Sequence, residues 1–133
     1  MGDHEIAAGR DARNQGSTRP YLLEVELHRD ARGSLIVLET GAGMPFPLQR
    51  VFFIFAVPPA QSRGGHVAGC QELVIALQGS CRATTIQDGA EQGFQLSSPA
   101  RALYVPANVW IRLDDFSSGA LVAVAADRPY TPH

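Results

Sequence analysis

Arg63-Gly64-Gly65-His66-Val67-Ala68-Gly69 lies between two apolar runs, Arg50-Val51-Phe52-Phe53-Ile54-Phe55-Ala56-Val57 before it and Glu72-Leu73-Val74-Ile75-Ala76-Leu77 after it. Short runs of apolar residues bounded by glycine and proline predict strands. Pro58-Pro59 stops the first run and Gln78-Gly79-Ser80 ends the second. Residues 50–57 are too apolar to keep a wet face, so both runs are expected buried in one barrel. A basic residue, glycines and a histidine between two buried strands are what a small β-barrel places at its mouth to build a site. A segment that only joined strands would need neither Arg63 nor His66.

The same punctuation recurs outward from this stretch. Residues 21–27 predict a strand, residues 28–33 a turn, and residues 34–39 the returning strand of a hairpin. Residues 41–47 carry two glycines and two prolines and predict a loop. Downstream, residues 72–77 and 81–86 are expected as strands joined by a turn at residues 78–80. Gln87-Asp88-Gly89 predicts another turn, followed by a short strand at residues 93–96. Strands at residues 102–105 and 109–113 flank Pro106, residues 114–119 form a loop, and residues 120–125 close the series. About nine or ten short strands without a helical period predict an all-β sandwich or barrel of the jelly-roll type. Residues 1–20 are polar and read as a flexible N-terminal tail, leaving residues 21–133 as a single domain.

Bulk composition narrows the partners. The chain has 133 residues, 45% of them hydrophobic and 18% charged, with a net charge of −2. That length buries a core without disulfides or metals. No basic field exists to hold a phosphate backbone, so nucleic acid is not an expected partner. No apolar run approaches the roughly 20 residues of a membrane span, and residues 1–6 lack the basic start and apolar core of a signal peptide. The expected location is cytoplasmic. If residues 78–80 form a hairpin turn, Cys81 lies just past it and Cys70 far down the opposite strand. Bridging requires Cα atoms about 4.4–6.8 Å apart, so both cysteines are expected as free thiols.

These residues, from about Leu23 to Ala126, resemble the sugar-nucleotide 3,4-ketoisomerases, WxcM-like cupins that act on a dTDP-4-keto-6-deoxyhexose. The resemblance is carried by Asp30-x-Arg32-Gly33-x-Leu35, Arg50-Val51, Arg63-Gly64-x-His66 and Gln78-Gly79-Ser80-Cys81. It continues through Val109-Trp110, Asp115-Phe116-Ser117 and the closing apolar strand. It implies an RmlC-like cupin jelly-roll barrel with no metal and no cofactor, a dTDP-sugar as the small-molecule substrate, and a homodimer that exchanges N-terminal strands. The chain departs from the family pattern where the loop usually reads Arg-Gly-x-His-Ala-His-Lys, because Ala68 and Gly69 stand in place of the second histidine and the lysine. Phe52 stands where the family usually has tyrosine.

Moving a ketone from C4 to C3 of a sugar is a problem of proton transfer. A base takes the C3 proton, an enediolate forms, and C4 receives a proton. Histidine titrates near neutrality and suits the task, so His66 is the expected acid/base. Ala68 cannot supply the second proton carrier. Glu72 is a candidate, inside an otherwise apolar run where burial would raise its pKa; the other reading has it pointing to solvent at a strand end. Arg63 is expected to bind substrate, because a guanidinium can hold phosphate or carbonyl oxygen with two hydrogen bonds. Phe52, Trp110, Arg112 and Tyr104 complete the expected substrate-binding set. Trp110 and Arg112 alternate on one strand and should share a face.

A metal cupin fails on ligand count, because His66 lacks a histidine partner at the expected spacing and His4, His28 and His133 sit in tail or turn regions. No nucleophile elbow supports a hydrolase. Two other readings stand beside the ketoisomerase. One is a divergent cupin catalysing another cofactor-free isomerisation, dehydration or cyclisation on a biosynthetic intermediate. The other is a cupin that binds a nucleotide sugar without catalysis.

Overall fold

The computed structural model describes residues 17–129. Eleven strands and no helix occur among them: β1 (Tyr21–Glu24), β2 (Glu26–Asp30), β3 (Gly33–Val37), β4 (Arg50–Phe55), β5 (Arg63–Val67), β6 (Glu72–Gln78), β7 (Cys81–Gln87), β8 (Ala90–Leu96), β9 (Arg101–Val105), β10 (Trp110–Asp114) and β11 (Leu121–Ala126). A five-stranded sheet runs β1-β9-β6-β11-β4, a four-stranded sheet runs β5-β10-β7-β8, and β2 pairs with β3. All pairings between strands are antiparallel. This is the all-β jelly roll expected from the spacing of the apolar runs. No helix among the described residues is long and apolar enough to cross a membrane.

Two apolar clusters hold the sheets. Alternation along β6 sends Val74 and Ala76 toward the four-stranded sheet, where, with Val122 and Val124 of the adjacent β11, they meet Ile111, Leu113 and Ala83. Leu73 and Ile75 point the other way, against Leu23, Met44, Phe46 and Tyr104. The proline- and glycine-rich segment at residues 41–47 is therefore a cover on the outer face of the five-stranded sheet. Both faces of β6 are buried, which is why its sequence is apolar without alternation.

Several expectations change. The first strand breaks at Val25: β1 pairs with β9, while β2 turns into the β2–β3 hairpin. The turn is tighter than residues 28–33, because Asp30 already pairs with Gly33. Gln78-Gly79-Ser80 is not a hairpin turn. β6 and β7 belong to different sheets, so these residues carry the chain across the sandwich. Ser117 holds that corner, donating its amide to the Ser80 carbonyl and accepting the Ser80 amide on its hydroxyl. Both cysteines are free, as expected, though the geometry that separates them is a crossing and not a hairpin.

The strand at residues 50–57 is not wholly buried. β4 is an edge strand whose Phe52 and Ile54 face the core, whereas Val51, Phe53 and Phe55 are 48%, 53% and 67% exposed. Of the expected tail, residues 1–16 lie outside the described residues. Residues 17–20 are held in place: Gln87 donates its side-chain amide to the Thr18 carbonyl, and Pro20 is buried.

Candidate active site

The segment at residues 63–67, expected as a loop, is strand β5 on the edge of the four-stranded sheet, paired with β10. Its register slips: Ile111 faces His66, but Arg112 faces Gly64, leaving Gly65 as an extra residue. Gly64 and Gly65 both adopt positive φ, +86° and +74°. This bulge decides which side chains share a face of the strand. Arg63 and His66 are three residues apart, and on a regular strand they would project from opposite faces. The extra residue restores parity, and both side chains line the same cavity.

That cavity, of about 120 Å³, lies between the two sheets. β4 contributes Phe52 and Ile54, β6 contributes Glu72 and Val74, β10 contributes Ile111 and Leu113, and β11 contributes Val124. Its floor is aliphatic. Arg63, His66 and Glu72 are the polar side chains that line it. Burial raises the Glu72 carboxyl above its ordinary pKa, while the nearby His66 and Arg50 charges pull it down. Such a carboxyl keeps a proton to higher pH than a solvated one, which is what a proton-returning group requires.

The structure thus brings Arg63, His66, Glu72 and Phe52 together. It does not bring Trp110, Arg112 or Tyr104 to them. On β10 the core-facing residues are Ile111 and Leu113, so Trp110 and Arg112 project from the opposite face of the sheet. They do share that face, with the Arg112 guanidinium 5.6 Å from the Trp110 ring centroid and its Nε donating to Asp114 at 3.1 Å. Tyr104 is packed on the outer face of the five-stranded sheet between Tyr21 and Phe46, and its hydroxyl donates to the Gln71 side-chain carbonyl. His28 sits on the β2–β3 hairpin beside Glu26. Arg50 was not among the expected site residues. Its guanidinium lies 4.7 Å from the Phe52 ring centroid, and the period-2 spacing of Arg50, Phe52 and Ile54 was the available signal.

Comparison with known proteins gives a consistent picture. The family model described as FdtA: WxcM-like, C-terminal, matches residues 18–133. A TDP-4-oxo-6-deoxy-alpha-D-glucose-3,4-oxoisomerase from Aneurinibacillus thermoaerophilus is 36% identical over 102 residues, which span 76% of this chain and 73% of that one. The solved TDP-quinovose 3,4-ketoisomerase from Campylobacter jejuni superposes with a TM-score of 0.79 at 33% identity, over 84% of this chain and 87% of that one. The sugar 3,4-ketoisomerase from Thermoanaerobacterium thermosaccharolyticum, solved in complex with TDP, gives a TM-score of 0.81 at 27% identity, over 86% of this chain and 85% of that one.

Proposed function

This chain belongs to the WxcM-like FdtA family of sugar-nucleotide 3,4-ketoisomerases, and from that premise we propose that it moves the keto group of a TDP-4-keto-6-deoxyhexose from C4 to C3 without a cofactor, using the acid and base groups of this cavity. The observation that carries the reading is the joint placement of His66, Glu72 and Arg63 in one apolar-walled cavity.

The steps follow from what those groups can do. His66 removes the proton from C3, and the electron pair moves through the new C3–C4 double bond onto the C4 oxygen. Arg63 offers fixed N–H donors to that oxyanion or to the substrate phosphates. The proton on the C3 oxygen passes to the C4 oxygen. The C3 carbonyl then forms as C4 accepts a proton, and Glu72, protonated to higher pH by its burial, is positioned to give it. The aliphatic floor of Ile54, Val74, Leu113 and Val124 suits the 6-methyl group of a deoxysugar, which has no hydroxyl to satisfy there.

The test is turnover of TDP-4-keto-6-deoxyglucose in D₂O, followed by NMR. Product carrying deuterium at C4 is expected, and His66→Asn should abolish its formation while TDP still raises Tm. Stabilisation by TDP without turnover in the unmutated protein would favour the non-catalytic binding reading, in which Ala68 marks lost chemistry.

The assembly is a homodimer on the same proposal. The β2–β3 hairpin pairs with no other named strand among the described residues, β4 is an edge strand, and Val51, Phe53 and Phe55 form an apolar row on it. β1 pairs with β9 within the chain, so the hairpin is the N-terminal piece available for exchange. Light scattering at micromolar concentration should give twice the chain mass of 14.3 kDa; a monomer mass would overturn it.

A further inference from the structure

We propose that Gln71, Asp127 and Tyr104 form a positioning clamp that holds the Glu72 carboxyl in the cavity, an inference that rests on the acid/base reading of Glu72. The clamp extends the β6–β11 ladder by one pair. Glu72 faces Ala126, the last residue of β11. Beyond it the Asp127 amide donates to the Gln71 carbonyl at 3.2 Å, and the Gln71 amide donates to Asp127 Oδ1 at 2.9 Å. The Gln71 side-chain amide donates to Asp127 Oδ2 at 2.8 Å. The remaining amide oxygen, Gln71 Oε1, accepts the Tyr104 hydroxyl. One glutamine thus ties the ends of three neighbouring strands, β9, β6 and β11, at the residue that precedes Glu72.

Such a device has a physical purpose here. A carboxyl held among aliphatic side chains lowers its free energy by swinging out to water. Glu72 sits at the first position of β6, where a strand end frays unless something past it is fixed. The clamp supplies that fixed point with four hydrogen bonds, three of them to the Asp127 residue and two of those to its carboxylate. Tyr104 reinforces it from the opposite face of the sheet, with its ring packed on Tyr21 and Phe46.

The groups facing Glu72 are few. β5 presents His66 and Arg63 in the same cavity, β4 presents Arg50, and Cys70 and Asp127 flank the strand end. Its ladder partner on β9 is Val105, and β10 presents Ile111 and Leu113 to the cavity, so neither adds a charge. None of the charged neighbours is altered by Tyr104→Phe, which removes a hydrogen bond and keeps the ring.

The experiment compares pH profiles of kcat and KM for the unmutated protein, Glu72→Gln, Tyr104→Phe and Gln71→Ala, with thermal unfolding to confirm that each variant is folded. In Glu72→Gln one limb of the kcat profile should disappear. In Tyr104→Phe that limb should remain but move to lower pH, as a loosened strand end admits water to the carboxyl, and kcat should fall several-fold with KM little changed. Gln71→Ala should move it further. An unchanged profile in Glu72→Gln overturns the reading of Glu72 and the clamp with it. A limb that disappears in Glu72→Gln but stays in place in both Tyr104→Phe and Gln71→Ala leaves that reading intact and overturns the clamp alone.

Discussion

Gly64→Ala tests whether the bulge in β5 is what puts Arg63 and His66 on one side of the strand. A Cβ on Gly64 would lie 2.9 Å from the Ile111 carbonyl oxygen, and its φ of +86° is a conformation that L side chains rarely adopt. Holding alanine there costs about 1–3 kcal/mol in backbone strain. The close contact adds roughly 1 kcal/mol, because the atom it meets is main chain in the β5–β10 pair and cannot swing aside. The sum is about 2–4 kcal/mol. At about 4 °C per kcal/mol for a domain of this size, Tm should fall by roughly 8–16 °C.

Gly65→Ala separates the two contributions. Its φ is also positive, but a Cβ there meets only the Trp110 ring, at 4.0 Å. It should lose stability through backbone strain alone, about 1–3 kcal/mol. β5 is an edge strand, so part of the Gly64→Ala strain can be relieved by local fraying. The melting loss then shrinks, but the site is lost with it, and a 1 Å displacement of a reacting group costs about 10²-fold in rate. Differential scanning fluorimetry and steady-state kinetics read both. A Gly64→Ala protein with the parent's Tm and the parent's kcat/KM would refute the reasoning, since nothing would then depend on the bulge.

Three further outcomes are expected. Glu72→Gln should stabilise the protein above mildly acidic pH. The folded carboxyl holds its proton to higher pH than the unfolded one, so the parent loses stability as pH rises from its ordinary pKa of 4.5 through the raised one; the variant's Tm advantage should be larger at pH 7.5 than at pH 4, and a constant difference would contradict it. Cys81 is buried, and burial followed by the Asp114 charge pushes its pKa up to about 11, so an aromatic disulfide reagent at pH 8 should modify no more than Cys70 in the native protein and both thiols after unfolding. Phe53→Glu combined with Phe55→Lys should convert the proposed dimer to a monomer in light scattering, since each phenylalanine withdrawn from water is worth about 1.5–3 kcal/mol and a twofold interface counts each twice; an unchanged dimer mass would place the interface elsewhere.

Most of the strands were legible in the sequence because short apolar runs between glycine and proline leave little else to form, whereas β5, Arg63–Val67, is polar and glycine-rich and read as a loop. What those strands pair with was not. Gln78-Gly79-Ser80 has the composition of a hairpin turn, yet it is a corner between sheets, because Ser117 and Ala120, nearly forty residues away, occupy the space beside Gly79. Residues 50–57 read as fully buried because a run apolar on both faces looks the same whether its outer face is covered by its own chain or left for a partner. At the candidate site, the residue types that line the cavity were legible and their direction was not. Arg63, His66 and Glu72 stood out by type and neighbours. Trp110 and Arg112 stood out equally, and they project from the other face because the parity of β10 is set by Ile111 and Leu113 entering the core.

By itself the sequence determined an all-β chain, and a histidine and an arginine flanking two glycines beside a buried strand. These follow from side-chain chemistry and local conformational preference, which act within a few residues. Only the tertiary structure decided that Gly65 is the extra residue of a bulge, that Arg63 and His66 therefore face one cavity, that Glu72 joins them from another sheet, and that Tyr104 serves Gln71 from behind. Each of those depends on strand register. Register is chosen by the burial of whole strands against partners distant in the chain, and a slip of one residue reverses every side chain on the strand.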